Sequence, residues 1–400
     1  MSKKKEIVPK FRFPEFQRDG IDFVHGNKLF KSITNKNHNS DLPILAITQD
    51  QGAVPRDQIE YNVTVTDKSL SNYKVVEVGD FIISLRSFQG GIEYSRFKGI
   101  CSPAYIILRK REENISELYY KYFFKTWRYI QSLNRNLEGI RDGKMISYSQ
   151  FSSVKVPYPR SFKEQQKIAD CLSSIDELID AENRKLKALE KYKKGLMQKL
   201  FPAEGKALPE WRFPEFRGKS EWRIKPLGKI CTNYDSRRIP ITEKDRVKGE
   251  IPYIGASGVI DYINDFIFDE DLLCVSEDGA NLVARTYPIA FSISEKTWVN
   301  NHAHVLKFSH KYTQDIVESY LNMINLQDFL TGMAQPKLNR AKLDIIPIPL
   351  PEEEEQQKIA GCLSDVDTMI TEQSNKVEQL KAHKKGLMQG LFPSLEEADV

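Results

Sequence analysis

A 39-residue stretch occurs twice in this chain, and the repeat limits the possible folds more than any other feature. Residues 164–202 read EQQKIADCLSSIDELIDAENRKLKALEKYKKGLMQKLFP, and residues 355–393 read EQQKIAGCLSDVDTMITEQSNKVEQLKAHKKGLMQGLFP. Aligned without a gap at an offset of 191, they agree at 22 of 39 positions. A shorter echo, RFPEF at 12–16 and 212–216, recurs at an offset of 200, while the sequences between the echoes are unrelated. A frame written twice around two different inserts predicts one scaffold that presents two different readers.

The frame reads as a pair of long helices. Apolar residues step by alternating fours and threes through Ile168, Leu172, Ile175, Ile179, Leu186, Leu189, Leu196 and Leu200. The second copy gives Ile359, Leu363, Val366, Ile370, Val377, Leu380, Leu387 and Leu391. This is a heptad seam. Its polar interruptions, Glu182 and Lys193 in one copy and Gln373 and Lys384 in the other, fall in matching slots. Such slots either fix register or mark a partly exposed seam. Ser161-Phe-Lys-Glu164 fits a capping box, and Pro351 followed by Glu352 to Glu355 puts negative charge at the positive end of a helix dipole. LFP stops both copies. Gly195 and Gly386 cost roughly 1 kcal/mol each against alanine; a close helix crossing, a contact with another subunit or a frayed end would each account for them. A helix from Glu164 to Leu200 is ~55 Å long at ~1.5 Å per residue. Neither helix can hide its seam alone, and the simplest partner is the other copy, antiparallel about a pseudo-twofold axis. If the halves are equivalent, residues 1–17 belong beside the end of the second helix, as in a ring cut once.

The inserts, 18–158 and 218–350, each mix short strand-like runs with helical ones. In the first, Val75 to Val78, Phe81 to Leu85 and Ala104 to Leu108 read as strands and Leu118 to Leu133 as an amphipathic helix. In the second, Ile251 to Gly255, Leu272 to Ser276 and His304 to Phe308 are strand-like, and Asp315 to Leu330 is helical. Each insert ends in an apolar, proline-containing run, 154–159 or 345–351.

Composition narrows the class. A 40% hydrophobic and 28% charged chain is typical of a globular protein, and no apolar run approaches the ~18 residues of a membrane span. MSKKKEIVPK has no apolar segment behind its basic residues, so it does not read as a signal peptide. Five scattered cysteines without a CxxC point to a reducing, cytoplasmic setting. A net charge of +4 permits nucleic-acid binding without demanding it.

With these strings in view, the chain resembles the specificity subunits of Type I restriction–modification systems. The resemblance rests on RFPEF, on the proline-rich segment before EQQKIA, and on KKGLMQxLFP. In the second insert it rests on IPYIGASGVI (251–260), SEDGAN (276–281), NNHAHVL (300–306) and GMAQPKLN (332–339). The first insert departs from it, with ISYSQF where the second has QPKLNRAKL. The resemblance implies an α/β (α+β) fold with two target-recognition domains joined by two long antiparallel coiled-coil helices and an internal pseudo-twofold repeat. The expected segments are 1–17 and 159–217 as frame, 18–158 and 218–350 as recognition domains, and 351–400 as the second long-helix repeat. It also implies a subunit that reads a split double-stranded DNA target and holds two modification subunits, with two restriction subunits as further partners. S-adenosylmethionine, ATP and Mg would belong to those partners and no cofactor to this chain. The rival class is a coiled-coil scaffold whose inserts bind proteins.

The motifs agree with a chain that does no chemistry. Gly139-Ile-Arg-Asp-Gly143-Lys144 is one residue short of a phosphate-binding GxxxxGK and lacks the following Ser/Thr. His302 and His304 are two apart, yet no carboxylate or cysteine pattern completes a metal site, so packing or a polar DNA contact is the expectation. DNA binding needs cations for phosphates and polar side chains for base edges. The loop-like candidates are Thr48, Gln49, Arg86, Ser87, Gln89, Arg141 and Lys144 in the first insert. In the second they are Arg237, Arg238, Ser257, Asn281, Asn301, His302 and Lys337. The Lys-rich run from Arg184 to Lys199 reads as a solvated or partner-docking face.

Overall fold

The computed structural model describes residues 8–59, 70–135, 146–203, 205–332 and 335–393. These form two compact units, residues 1–182 with 376–400, and residues 183–375. Two 39-residue helices, Phe162–Leu200 and Glu353–Leu391, are shared between the units.

In unit 1 the two helical segments run antiparallel, because Asp176 pairs with Lys384 (2.5 Å) and Glu182 with Lys376 (2.6 Å). In unit 2 the same geometry returns, with Lys193 on Asp367 at 2.5 Å. Residues 176 and 367 are repeat equivalents, and so are 193 and 384, so one cross-helix ion pair occurs twice. Three of the four polar seam slots are therefore cross-helix charge partners, and the fourth, Gln373, is buried. A close crossing at Gly195 and Gly386 is not what the fold contains: a Cβ built on either has no atom within 4 Å.

RFPEF is a latch on the helix starts. Arg12 grips Glu164 with two hydrogen bonds (Nε–Oε1 2.7 Å, Nη2–Oε2 2.9 Å), and Arg212 grips Glu355 in the same way (both 2.7 Å). Glu164 was expected to close a capping box with Ser161; its carboxylate instead goes to this arginine, whose planar fork matches two oxygens at once. Phe11 N–H donates to the Gly390 carbonyl, and Trp211 N–H donates to the Lys199 carbonyl, each at or near the end of a long helix. Residues 8–17 thus lie beside the end of the second helix.

The strands of unit 1 are β1 (Ile21–His25), β2 (Phe30–Ile33), β3 (Leu45–Thr48), β4 (Gly52–Pro55), β5 (Lys74–Val76), β6 (Phe81–Ile83), β7 (Glu93–Tyr94), β8 (Gly99–Cys101), β9 (Ile106–Lys110) and β10 (Lys155–Pro159). Unit 2 continues with β11 (Arg223–Pro226), β12 (Thr232–Asn233), β13 (Lys248–Gly255), β14 (Gly258–Ile263), β15 (Leu272–Ser276), β16 (Ala290–Ile293), β17 (Trp298–Val299), β18 (Ala303–Lys307) and β19 (Pro347–Leu350). Each unit has a four-stranded antiparallel sheet, β2-β9-β6-β7 or β12-β18-β15-β16, and an entry–exit ribbon, β1–β10 or β11–β19. Despite unrelated sequences, the two inserts share this topology. The central runs Phe81–Ile83 and Leu272–Ser276 are buried throughout, as strands covered on both faces must be. The proline-rich runs lie in two-stranded ribbons, where a missing N–H is tolerated.

Two expected helices are shorter than their apolar periodicity. Leu118 to Leu133 breaks into Glu117–Phe123 and Trp127–Arg135. At the break the Lys125 ammonium is drawn to buried Glu93 (2.5 Å) and to the carbonyls of Gly90 and Gln49. The second helix is Lys311–Met323 rather than 315–330. The Arg285 guanidinium takes the carbonyls of Leu321 and Ile324 and closes it.

Each core receives the end of a long helix. In unit 1 the fully buried rings Phe30, Phe81, Tyr119, Tyr120, Phe123, Phe124, Tyr129 and Phe151 stack edge-on or tilted, and Phe392 joins them 5.1 Å from Tyr119. In unit 2 Phe201 lies 5.7 Å from Tyr320. The LFP motif thus plugs each helix end into its insert.

Candidate nucleic-acid interface

The matched topologies place the candidate loops at equivalent positions. In unit 1 the β6–β7 connection and the β3–β4 turn meet. Gln49 lies against Gly90, and its amide reaches the Arg86 carbonyl (3.4 Å). Lys125 donates to the carbonyls of Gln49 (3.1 Å) and Gly90 (2.9 Å), tying the two turns together. Burial pushes the Glu93 carboxyl up despite its Lys125 partner. Gln49, Arg86 and Gln89 are exposed on this edge. Thr48 is half-buried and engaged inside its own turn, donating to the Gly52 carbonyl and accepting from Gln51 N–H. Ser87 is 1% exposed, and its hydroxyl accepts from Ser84 N–H, so it holds the turn and does not face outward. Arg141 and Lys144 lie outside the described residues.

In unit 2 the β15–β16 and β17–β18 connections and residues 335–338 are joined by backbone bonds. Glu277 N–H donates to the His302 carbonyl (2.9 Å), Leu338 N–H to the Glu277 carbonyl (2.7 Å), and Gly279 N–H to the Pro336 carbonyl (3.1 Å). The β13–β14 turn joins them through the Ser276 hydroxyl, which donates to the Ala256 carbonyl. SEDGAN, NNHAHVL, residues 335–338 of GMAQPKLN and the turn of IPYIGASGVI thus converge on one edge. Ser257, Asn301, His302 and Lys337 are exposed there. Lys337 pairs with Glu277 (3.2 Å) and His302 with Asp278 (2.8 Å).

Three candidates do other work. Asn281 bonds the backbone N–H and carbonyl of Tyr287 and closes that loop. Arg238 is half-buried among Asp235, Glu277 and the carbonyls of Asn301 and Ala303. Arg237 stacks on Tyr234 and Phe268 and pairs with Glu270, near the start of β15, whereas Ser276 and its loop lie at the other end. The two histidines do not share a face: the His302 side chain is 51% exposed in the turn before β18, and His304 is 1% exposed.

The acids of this edge were not among the sequence candidates. Asp235, Glu277 and Asp278 organise the unit 2 edge. Burial pushes the Asp235 and Glu277 carboxyls up. Hydrogen bonds and charge from His304, Val305 N–H and Arg238 nevertheless hold Asp235 below its usual range. Arg238, His304 and Lys337 do the same for Glu277. The acids inside SEDGAN were the available signal. Lys125 was missed as well, and an isolated lysine within an apparent helix gave no signal at all.

Two mixed α/β units with the same sheet topology, each latched to the start of a long helix, define a repeated two-domain fold. Known proteins make the class specific. The family model described as the Type I restriction modification DNA specificity domain matches residues 19–191 and 219–382. A Type I restriction enzyme specificity subunit of Methanocaldococcus jannaschii is 25% identical over 351 residues, covering 82% of this chain and 80% of that one. A Haemophilus influenzae protein described as a candidate specificity subunit is 33% identical over 153 residues, covering 38% of this chain and 39% of that one. The S subunit structure from M. genitalium shares the fold, with a TM-score of 0.60 at 15% identity over 97% of this chain and 99% of that one. The chain belongs to the Type I restriction–modification DNA specificity family and carries two copies of its domain.

Proposed function

We propose that this chain is the non-catalytic DNA-reading subunit of a Type I restriction–modification complex. Unit 1 reads one half of a split target, unit 2 reads the other, and the repeated frame holds two modification subunits, with restriction subunits as further partners. Adenine methylation, S-adenosylmethionine, ATP and Mg belong to those partners, and the complex works where the DNA is, in the cytoplasm. Among the described residues no helix is long and apolar enough to cross a membrane.

The observation that carries this reading is the pair of topologically matched edges bearing different side chains: Gln49, Arg86 and Gln89 in one unit, Ser257, Asn301, His302 and Lys337 in the other. Same placement with different chemistry is what two readers of different sequences require, since base edges are told apart by donor and acceptor pattern. Support for two identical partners comes from the frame. Glu190, Lys193, Lys194, Met197 and Gln198 line a groove in unit 2, and Lys381, Lys384, Lys385, Met388 and Gln389 line one in unit 1. These are the same five helix positions at the repeat offset of 191.

The test is co-expression with its cognate modification subunit, in a host without adenine methylation, followed by single-molecule mapping of N6-methyladenine. The expected result is one split motif, two short defined halves around a fixed unspecified gap. A continuous motif, or no methylation from a co-purifying complex, would count against the reading.

A further inference from the structure

The two frame grooves share a run of long-helix positions but not their charge. In unit 1 the groove encloses about 560 Å³ between residues 123–130 and 381–393. In unit 2 it encloses about 700 Å³ between the long helices and residues 285–288 and 311–324. At the repeat offset of 191, Lys384, Lys385, Met388 and Gln389 stand where unit 2 has Lys193, Lys194, Met197 and Gln198. Lys381, by contrast, stands where unit 2 has Glu190. The walls supplied by the inserts widen that difference. The unit 1 groove is lined by five cations, Lys125, Arg128, Lys381, Lys384 and Lys385, and by no acid. The unit 2 groove sets four acids, Glu190, Asp315, Glu318 and Asp367, against four cations.

Pairing inside each unit sharpens the contrast. In unit 1, Lys125 is engaged by Glu93, Lys384 by Asp176 and Lys381 by Glu378. Arg128 and Lys385 are exposed and pair with no acid among the described residues. In unit 2, Lys193 is engaged by Asp367, Lys311 by Asp315, and Arg285 by backbone carbonyls. The equivalent of Lys385, Lys194, is exposed with Glu190 one helical turn away. Unit 1 therefore keeps unanswered positive charge where unit 2 is balanced.

The unit 1 groove also has an apolar wall. Phe123, Ile130, Met388 and Phe392 line it, and Trp127 stands among them 66% exposed. Tryptophan and arginine are the side chains that most often carry the binding energy of a protein interface. A DNA backbone would use the cations and leave this wall against water. A protein segment with carboxylates beside an apolar side chain fills both.

We propose that the unit 1 groove docks an acidic segment of the modification subunit, anchored on Trp127, so that two identical partners bind unequally, the copy at unit 1 first and with the stronger salt dependence. The inference rests on the assembly role proposed above and deepens it. Carboxylates of that segment meet Arg128 and Lys385 in unit 1. The same segment of the second copy meets Glu190 and its neighbouring acids in unit 2, and like charges across an interface weaken association. Salt screens exposed charges, so it erodes the first step more than the second.

The experiment titrates the full chain with its cognate modification subunit and counts bound copies by native mass spectrometry and sedimentation. In the native chain two steps are expected, the first weakening about tenfold from low to high salt, the size of two exposed ion pairs, and the second nearly level. Arg128→Glu with Lys385→Glu should weaken the first step by at least that factor and flatten its salt dependence, while Lys194→Glu leaves it unchanged. Trp127→Ala should weaken the first step about thirtyfold, as a hot-spot residue does, and keep its salt slope. A zero-length carbodiimide, which joins an amine only to a carboxylate that touches it, should link Lys385 to an Asp or Glu of the modification subunit. Two steps with the same salt dependence, or a salt-steep first step retained in the charge-reversed variant, would overturn the proposal. So would a Lys385 that stays unlinked and is shielded instead by target-free duplex DNA, which would make the groove a phosphate contact. A native chain that binds no modification subunit at all would overturn the assembly role itself, an outcome distinct from two equal steps.

Discussion

Arg12 and Arg212 do one job at two places. Each places a guanidinium fork on a glutamate whose side chain is almost fully shielded from water, Glu164 at 1% and Glu355 at 2% exposed. Removing the arginine leaves a carboxylate buried without its counter-charge. Arg12→Ala should therefore destabilise unit 1 by about 3–5 kcal/mol, and Arg212→Ala should do the same to unit 2. Denaturant unfolding of the single variants checks this, and a loss below about 1 kcal/mol, the size of an exposed ion pair, would contradict it. The echo RFPEF was legible in the sequence, but its purpose was not, because each arginine's partner lies more than a hundred residues away. Separation in sequence also hid Asp235, 69 residues from His304, whose place beside it depends on the register of β12 on β18.

At the scale of elements, the heptad seam was the most readable part, since an alternation of fours and threes sustained from Ile168 to Leu200 and again from Ile359 to Leu391 has few structural solutions. The insert helices were misread at their ends. Apolar periodicity continues through Phe124 because both short helices flank the same aromatic core. The break is imposed from outside, by Lys125 on Glu93 and by the close approach of the Phe124 carbonyl to Gly91. Gly91 has φ +83°, and a Cβ there would collide with that carbonyl oxygen. Gly91→Ala combines left-handed strain with a backbone clash and should cost about 2 kcal/mol or more. The measure is the unfolding midpoint of unit 1, followed by its aromatic circular dichroism. An unchanged midpoint would show that the break is not held by this contact.

For the whole molecule, the division into a repeated frame and two inserts was visible from one gapless alignment, and the fold carries it to the level of single ion pairs, with Asp176–Lys384 and Lys193–Asp367 as one contact made twice. The reading edges were visible in part. The strings that form the unit 2 edge stood out, yet Ser87, Asn281 and Arg238 turned out to hold loops together rather than face outward, a distinction set by long-range hydrogen bonds that loop composition does not encode. The central claim is that the two units read independently. The most direct measurement is the N6-methyladenine map of the complex after residues 18–158 are exchanged for the corresponding insert of another family member. One half of the split motif should change while the other half and the gap stay the same; a change in both halves would show that the units do not read independently.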